Sequence, residues 1–335
     1  MAAASGGSPE KLEDMIVRAA ESTAAHVQAA KAAIGEVIFG QDVVVERALV
    51  TVLSGGHALL VGVPGLAKTK LVETMGIALG LDARRIQFTP DLMPSDILGA
   101  EVLEESPGGK RSFRFIAGPV FAQLLMADEI NRASPRTQSA LLQAMQEQHV
   151  TIAGARHDLP KPFHVLATQN PLEQEGTYPL PEAQLDRFLM EVDVDYPDLA
   201  TERKILFDTT GAEESRAKPA MTAEDLIAAQ RLVRRLPVGE TVMEAILQMV
   251  RSARPGEDGD AAKLIAWGPG PRASQALMLA VRARALLGGR FAPSVDDVLE
   301  LAEPVLKHRM ALTFAARAEG ETIPNVIRQL KARIG

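Results

Sequence analysis

A loop that contains glycine, lysine and threonine offers the clearest chemistry in this sequence. The segment Gly62-Val-Pro-Gly-Leu-Ala-Lys-Thr69 follows a short apolar run at 58–61 and precedes a helical pattern at 70–79. Between a strand and a helix, such a loop presents backbone N–H groups and the positive helix end to phosphate oxygens. Its lysine contacts the β and γ oxygens, and its hydroxyl binds Mg²⁺. The usual P-loop pattern has glycine where this chain has Ala67, and a chance match to a degenerate pattern is the alternative. The residues predicted to contact ATP are Gly62, Val63, Pro64, Gly65, Leu66, Ala67, Lys68, Thr69 and Lys70.

An acidic pair at the end of a later apolar run supplies a second part of a phosphate-transfer site. Asp128 and Glu129 follow the run at 123–127. Hydrolysis of ATP needs one carboxylate to hold the Mg²⁺ shell and another to polarise the attacking water. We therefore predict that Asp128 binds Mg²⁺ together with Thr69 and that Glu129 is the general base. Acidic pairs at strand ends are commonly solvated loops, so this assignment depends on the preceding loop.

Three polar side chains further along the chain are candidates to complete the site. Asn170, after another apolar run, is placed to sense the γ-phosphate and position water, although it also suits the cap of a turn before a proline. Arg187 is predicted to act in trans on a nucleotide across a subunit interface, with an ion pair to Asp186 or another carboxylate as the alternative. Arg272, at the start of a helix, is predicted to reach the nucleotide, and a surface arginine is its alternative.

The elements that must position these residues alternate between strands and helices. Short apolar runs typical of buried parallel strands occur at 58–61, 85–88, 123–127, 164–168 and 189–194. Helical segments, notably 135–148, lie between most of them, so the sequence predicts an α/β fold with a parallel sheet covered on both faces. Two further segments, 102–118 and 150–159, have turn residues between alternating flanks and are predicted to be β-hairpin insertions.

The pattern changes beyond residue 195, where only helical signals follow. Capping boxes open helices at 222–225 and 294–297, and the helix after Pro271 is expected to end at Gly288-Gly289. We therefore predict a disordered N terminus (1–10), a P-loop NTPase core (11–205) and an all-α helical lid domain (206–335).

Composition excludes several classes of function. The net charge is −7, which gives the chain no overall electrostatic footprint for nucleic acid or anionic membrane. There is no cysteine, so disulfides and thiol catalysis are excluded, and the six histidines show no metal-ligand spacing. Neither a signal peptide nor a membrane span is evident in the sequence, and a cytoplasmic location is the expectation.

Together these motifs resemble the MoxR family of AAA+ ATPases, within the clade that carries a helix-2 insert. The resemblance runs from residue 38 to about residue 309. It covers the loop at 62–69, the Walker B-like Asp128-Glu-Ile-Asn-Arg132, the sensor 1-like Ala167-Thr-Gln-Asn-Pro171 and the long segment 176–188, whose Arg187 looks like the finger. The segment 270–274, which contains Arg272, resembles sensor 2.

The resemblance implies a homo-hexameric ring with the nucleotide between subunits. It also implies chaperone-like maturation of a client protein, often by cofactor insertion, together with a separate partner that has a von Willebrand factor A domain. By analogy, Gln41 lies near the adenine. Arg132 and Arg136 are weaker candidates for the subunit interface, and a solvated helix start is their simpler interpretation.

Three other functions remain open from the sequence. A nucleic-acid motor is disfavoured by the acidic balance, and salt-dependent DNA binding would favour it. A magnesium-chelatase-like ATPase subunit shares the architecture and the type of partner. A nucleotide-gated scaffold would bind ATP and turn it over very slowly, which an ATPase assay of Glu129→Gln against the wild type distinguishes.

Overall fold

The computed structural model describes residues 9–105, 111–173, 176–210, 215–257 and 259–334, with side chains from residue 18 onward. Of the N terminus predicted to be disordered, residues 1–8 lie outside these ranges, and Pro9 and Glu10 begin the first helix. Within the described residues the strands are β1 (Ala58–Val61), β2 (Ala83–Gln87), β3 (Gly99–Glu105), β4 (Arg111–Ala117), β5 (Leu124–Asp128), β6 (His149–Ile152), β7 (Ala155–Asp158), β8 (His164–Gln169), β9 (Met190–Asp193), β10 (Ile265–Trp267) and β11 (Ala311–Leu312).

Helices account for most of the remaining described chain. They are α1 (Pro9–Gly35), α2 (Asp42–Leu53), α3 (Lys68–Ala78), α4 (Pro94–Leu98), α5 (Pro135–Glu147), α6 (Glu182–Leu185), α7 (Leu199–Thr209), α8 (Ala223–Arg235), α9 (Glu240–Ser252), α10 (Asp260–Lys263), α11 (Pro271–Leu287), α12 (Val295–Leu306), α13 (Phe314–Ala318) and α14 (Ile323–Lys331). Short 3-10 turns follow β5 at Ile130–Arg132 and α12 at Lys307–Arg309.

The core is a five-stranded parallel sheet in the order β2-β5-β8-β1-β9. The predicted α/β architecture is confirmed, and its strands begin and end within two residues of the predicted bounds. Because every strand runs in the same direction, the residues that follow β1, β5, β8 and β9 meet at one edge of the sheet. The P-loop, Glu129 and Asn170 therefore lie at this carboxyl edge.

Side chains alternate between the two faces of the sheet, and each face is covered. Leu60, Met126 and Leu166 belong to a large apolar cluster shared with α1, α2, α3 and the C-terminal helices. Leu125 and Val165 point the other way, into a second cluster packed on α5. The sheet is thus buried on both sides, as a continuous apolar strand pattern requires.

Both predicted hairpins are present as separate two-stranded sheets, β3–β4 and β6–β7. The first predicted turn, Pro107 to Gly109, lies outside the described residues. In the second hairpin, Ala153 and Gly154 both have positive φ (48° and 85°), the backbone of a two-residue turn.

The C-terminal part is helical, and its predicted capping boxes are confirmed. Thr222 and Asp225 cap α8 reciprocally, and Ser294 and Asp297 do the same for α12. The two short strands β10 and β11 form an antiparallel pair in this part, which the sequence prediction missed. The domain boundary near residue 205 stays a prediction. Among the described residues, no helix has both the length and the apolar character required to cross a bilayer.

Candidate functional site

A cavity of about 450 Å³ lies at the carboxyl edge of the sheet. The structure brings together here ten residues that the sequence assigned to the same site: Pro64, Gly65, Leu66, Ala67, Lys68, Thr69, Lys70, Asp128, Glu129 and Asn170. The rest of the lining comes from β2 and from the end of β8, through Arg85, Gln87 and Thr168.

The loop adopts its shape because small residues occupy its tight positions. A Cβ on Gly62 would lie 2.5 Å from the carbonyl oxygen of Val194, so only glycine fits there. Gly65 and Ala67 both have positive φ, 86° and 57°. For Ala67, the residue that departs from the usual pattern, the left-handed conformation costs about 1 kcal/mol relative to glycine. Ala67 immediately precedes α3 and exposes that helix N terminus to the cavity.

The side chain of Lys68 is hydrogen-bonded to the backbone of its own loop. Its Nζ donates to the carbonyl oxygens of Val63 (3.1 Å) and Gly62. Burial lowers the pKa of Lys68, while the nearby carboxylates of Asp128 and Glu129 act to raise it. Lys68 is therefore close enough to both acidic residues of the site to interact with their charges.

Asp128 is buried and its two carboxylate oxygens have different partners. The hydroxyl of Thr168 donates to Oδ1 at 2.5 Å, and Arg85 donates to Oδ2 through Nη2 (2.5 Å) and Nε (3.1 Å). The same hydroxyl of Thr168 accepts from the backbone N–H of Glu129 at 2.8 Å. Thr168 is 1% exposed and fixes both acidic residues from the neighbouring strand β8.

Glu129 is restrained in backbone and side chain. It has φ 54° and ψ 51°, a left-handed conformation that costs a residue with a side chain about 1–3 kcal/mol. Its Oε2 accepts from Gln87 Nε2 at 2.8 Å and from Arg132 Nη1 at 3.0 Å. Arg132 thus lies beside the predicted base, whereas Arg136 is exposed in the first turn of α5.

Two other predicted residues border the same edge. Asn170 lines the cavity, and its Oδ1 accepts from the N–H of Leu172 at 3.1 Å, the turn-capping contact that was the alternative interpretation. Gln41 donates to the carbonyl oxygen of Asp195 at 3.0 Å and lies in a small adjoining pocket beside Ala67 and Lys68.

The oxygen donors at this edge suit magnesium. A threonine hydroxyl and one carboxylate, with phosphate oxygens completing the shell, are the hard ligands that Mg²⁺ prefers. Within the described ranges, no group of three or more histidine, cysteine or acidic side chains is arranged to hold a metal ion. The residues therefore fit a cation that arrives with a phosphate ligand.

Arg187 and Arg272 lie at the opposite edge of the sheet. They line a second cavity of about 230 Å³ together with His57, which precedes β1, and Leu189, which precedes β9. These strands are four residues long, so about 13 Å of parallel sheet separates this amino edge from the P-loop. Neither arginine is among the residues that line the carboxyl-edge cavity of its own chain. The contact of Arg272 with nucleotide therefore stays a prediction.

At the amino edge, Arg272 is exposed in the first turn of α11, as its alternative interpretation had it, whereas the contact of Arg187 differs from the ion pair that was its alternative. Arg187 Nη1 donates to the carbonyl oxygen of Leu142 at 2.9 Å. Asp186 instead pairs with Arg272 (3.2 Å) and with Arg309 (2.7 Å). Sequence reasoning missed Arg85, Gln87, Thr168 and Arg309, and it named Asp186 only as a possible partner of Arg187. Charged residues within the short strand β2 were the one available signal for the missed set.

Comparison with known proteins agrees with this geometry. Residues 57–190 match the ATPase family associated with various cellular activities (AAA), and residues 258–330 match the AAA lid domain. The chain is 44% identical over 314 residues to Chaperone MoxR1 of Mycobacterium tuberculosis, covering 92% of this chain and 82% of that protein. It is 32% identical to Protein MoxR of Paracoccus denitrificans over 88% of this chain and 91% of that one. A crystal structure from Cytophaga hutchinsonii superposes with a TM-score of 0.87 at 34% identity, covering 95% and 96% of the two chains.

Proposed function

The chain belongs to the MoxR family of AAA+ ATPases, and we propose that it hydrolyses ATP to ADP and phosphate at the carboxyl-edge cavity to remodel a partner protein. One observation carries this proposal. Lys68, Thr69, Asp128 and Glu129 come from two distant segments of the chain and line one cavity. An ATPase with a chaperone role is the function that the family supports, and the substrate, metal and residue roles below are our assignments.

The P-loop and its lysine bind the triphosphate. Backbone N–H groups of the loop and the N terminus of α3 face the cavity, and they favour anionic oxygens. Lys68 then exchanges its bonds to the carbonyl oxygens of Gly62 and Val63 for phosphate oxygens. This exchange keeps its ammonium group paired before and after binding.

Thr69 and Asp128 hold Mg²⁺, and Thr168 orients Asp128. When bound, Mg²⁺ neutralises charge that develops on the phosphate oxygens. The hydroxyl of Thr168 fixes the Asp128 carboxylate at 2.5 Å, as outer partners of metal ligands commonly do. Arg85 neutralises the same carboxylate and therefore competes with the cation for it.

Glu129 accepts the proton of the attacking water, and Asn170 positions that water. Gln87 and Arg132 both donate to Oε2 of Glu129, which leaves Oε1 to accept the proton. Turnover then depends on how these two side chains hold the Glu129 carboxylate as well as on ATP binding.

Arg187 and Arg272 act on the nucleotide of a neighbouring chain. Both lie at the amino edge of the sheet, and each nucleotide cavity lies at the carboxyl edge. Head-to-tail contact between such unlike faces repeats and closes into a ring, for which we propose a hexamer on the basis of the family resemblance. An arginine delivered in this way spreads the charge of the γ-phosphate during transfer.

The proposed partners are a separate protein with a von Willebrand factor A domain and a client protein that is matured by the ring. The family resemblance supports both. Because its proposed substrate is ATP, we also propose a cytoplasmic location. Capture of partners on a Glu129→Gln variant with ATP, analysed by mass spectrometry, tests this part; ribosomal or chromosomal material in place of a defined protein set counts against it.

Mixing two inactive variants tests the catalytic proposal. Arg187→Ala keeps an intact nucleotide cavity, and Glu129→Gln keeps an intact arginine face, by which we mean the surface formed by Arg187 and Arg272. Each variant alone is expected to be inactive. In a random 1:1 ring, about a quarter of all sites combine both intact parts, so about a quarter of the wild-type ATPase activity returns.

The matched control is a mixture of Lys68→Ala and Glu129→Gln. Both changes damage the same cavity, so this mixture is expected to stay inactive. An inactive mixture of Arg187→Ala with Glu129→Gln, with both chains folded and assembled, contradicts the assignment of Arg187 in trans.

A further inference from the structure

Arg309 is almost completely buried and reaches the segment that carries Arg187. It is 1% exposed and belongs to the 3-10 turn Lys307–Arg309 after α12. Its Nε donates to Asp186 Oδ1 at 2.7 Å, and its Nη2 donates to the carbonyl oxygens of Phe188 (2.6 Å) and Asp186 (3.3 Å). Its Nη1 donates to the carbonyl oxygen of Leu189 at 3.2 Å. One guanidinium thus fixes the backbone on both sides of Arg187.

Asp186 extends the same contact to the second arginine. Its Oδ1 accepts from Arg309, and its Oδ2 accepts from Arg272 Nη1 at 3.2 Å. A single carboxylate therefore joins a buried arginine, the segment before β9 and the first turn of α11. Arg187 and Arg272 line the same cavity, so Asp186 and Arg309 determine how both are presented.

The contact pattern differs from that of an ion pair that only stabilises the fold. Such a pair needs one good contact between opposite charges. Arg309 instead directs three of its bonds at main-chain carbonyls within 186–189, and His308 lies against another side of the same segment, with Nε2 at 3.1 Å from the Phe188 carbonyl oxygen. The planar five-donor fork of arginine makes this possible, and lysine cannot reproduce it.

We propose that Arg309 and Asp186 are positioning residues for hydrolysis in the neighbouring chain. Arg309 fixes the backbone that carries Arg187, and Asp186 holds Arg272. Arg187 and Arg272 can then reach the γ-phosphate of the nucleotide bound to the neighbouring chain. This inference rests on the proposed role of Arg187 and Arg272 in trans. Because Arg309 follows α12 and Arg187 precedes β9, the contact also links the helical C-terminal part to the core sheet.

Arg309→Lys is the direct test, since it keeps the charge and removes the fork. We expect kcat for ATP hydrolysis to fall by about 10- to 100-fold, as for a misplaced catalytic group, while the dissociation constant for ATP stays unchanged. The matched control is Arg290→Lys, another arginine that donates to a buried carboxylate, Asp297. That change is expected to alter kcat by less than about twofold, because it lies in neither cavity.

Mixing separates positioning from simple destabilisation. Arg309→Lys mixed 1:1 with Glu129→Gln is expected to recover about a quarter of the wild-type activity, because the second chain supplies an intact arginine face. Arg309→Lys mixed with Arg187→Ala is expected to stay at or below the residual activity of Arg309→Lys alone, because neither chain supplies that face intact. Thermal unfolding of each variant is measured alongside. Should Arg309→Lys fail to fold, Asp186→Asn, which keeps the shape of the side chain, takes its place in the same mixtures.

The inference is overturned by full kcat in folded Arg309→Lys, by a loss of ATP affinity equal to the loss of kcat, or by failure to recover activity with Glu129→Gln. The proposed function fails through a different result. If Arg187→Ala and Glu129→Gln do not restore each other, the role in trans is wrong whatever Arg309 does.

Discussion

Thr168 offers the sharpest perturbation of the proposed metal site, because one hydroxyl serves both acidic residues. Replacing it with valine keeps the shape of the side chain and removes the 2.5 Å bond to Asp128 and the 2.8 Å bond from the N–H of Glu129. Valine also suits a buried parallel strand such as β8, so the backbone is expected to stay in place.

The magnitude follows from these contacts. A hydrogen bond to a charged group contributes about 1.5–3 kcal/mol, and a buried N–H left without a partner costs about 1–3 kcal/mol. Arg85 still holds the other oxygen of Asp128, so we expect the unfolding free energy to fall by about 3 kcal/mol rather than by the full sum. Misorientation of the metal ligand is expected to lower kcat by about 10- to 100-fold.

The assay combines steady-state ATPase rates at several Mg²⁺ concentrations with chemical denaturation. Thr168→Ser keeps the hydroxyl and is expected to retain most activity. Thr51→Val is the matched control, because it removes a buried hydroxyl whose one bond within the described part of the chain is to the carbonyl oxygen of Arg47, in α2. It is expected to affect stability alone. Wild-type kcat and Mg²⁺ dependence in Thr168→Val would refute the reasoning that this hydroxyl orients the site.

Three further predictions concern the base, the buried histidines and a buried carboxylate. Gln87→Ala removes the 2.8 Å bond on Glu129, so steady-state turnover is expected to rise by up to about tenfold, equal to ~1.4 kcal/mol; a fall would show that Gln87 assists the base. Burial lowers the pKa of His57 to about 3 and of His164 to about 4, so the unfolded chain takes up protons at a higher pH than the folded one. The two histidines therefore leave the unfolding free energy at its full value above about pH 6.5 and lower it on acidification, by about 2 kcal/mol per histidine at pH 5. Equal denaturation midpoints at pH 7.5 and pH 5 would contradict this. Asp297→Asn weakens the pairing of a fully buried carboxylate with two arginines, at 2.6 Å and 2.7 Å, and should lower the unfolding free energy by about 3 kcal/mol while activity per folded chain stays unchanged.

The residues of the nucleotide cavity were predictable from the sequence because they follow strands of one parallel sheet. The P-loop and Asp128-Glu129 each follow an apolar strand, and the carboxyl ends of parallel strands share an edge. Local patterns therefore placed distant residues together without any knowledge of strand order. The same holds for the capping boxes of α8 and α12, whose signals are contained in four consecutive residues.

The partners of the acidic pair were not predictable in this way. Arg85 meets Asp128 because β2 lies beside β5, and Thr168 meets it because β8 lies on the other side. Strand order depends on packing over the whole sheet, so it cannot be inferred from the residues of a short segment. The side chains that hold Asp128 and Glu129 can therefore be identified only from the three-dimensional structure.

The two arginines differ in this respect. Arg187 precedes the predicted parallel strand at 189–194, so the same rule places it at the amino edge. The sequence gave no such means of placing Arg272, whose position follows from how the C-terminal helices pack and from its bond to Asp186. The strands β10 and β11, at three and two residues, are too short to give a periodic signal.

Calorimetric titration with ATP and Mg²⁺ tests the central claim most directly, that Lys68, Thr69, Asp128 and Glu129 form one ATP–magnesium site. We expect Glu129→Gln to bind ATP as the wild type does while its hydrolysis falls by about 10²- to 10⁴-fold. Lys68→Ala is expected to bind ATP at least ~10²-fold more weakly, because a charge-assisted contact to phosphate is lost. Undiminished binding by Lys68→Ala, or no heat of binding for wild-type protein with ATP and Mg²⁺, would contradict the claim.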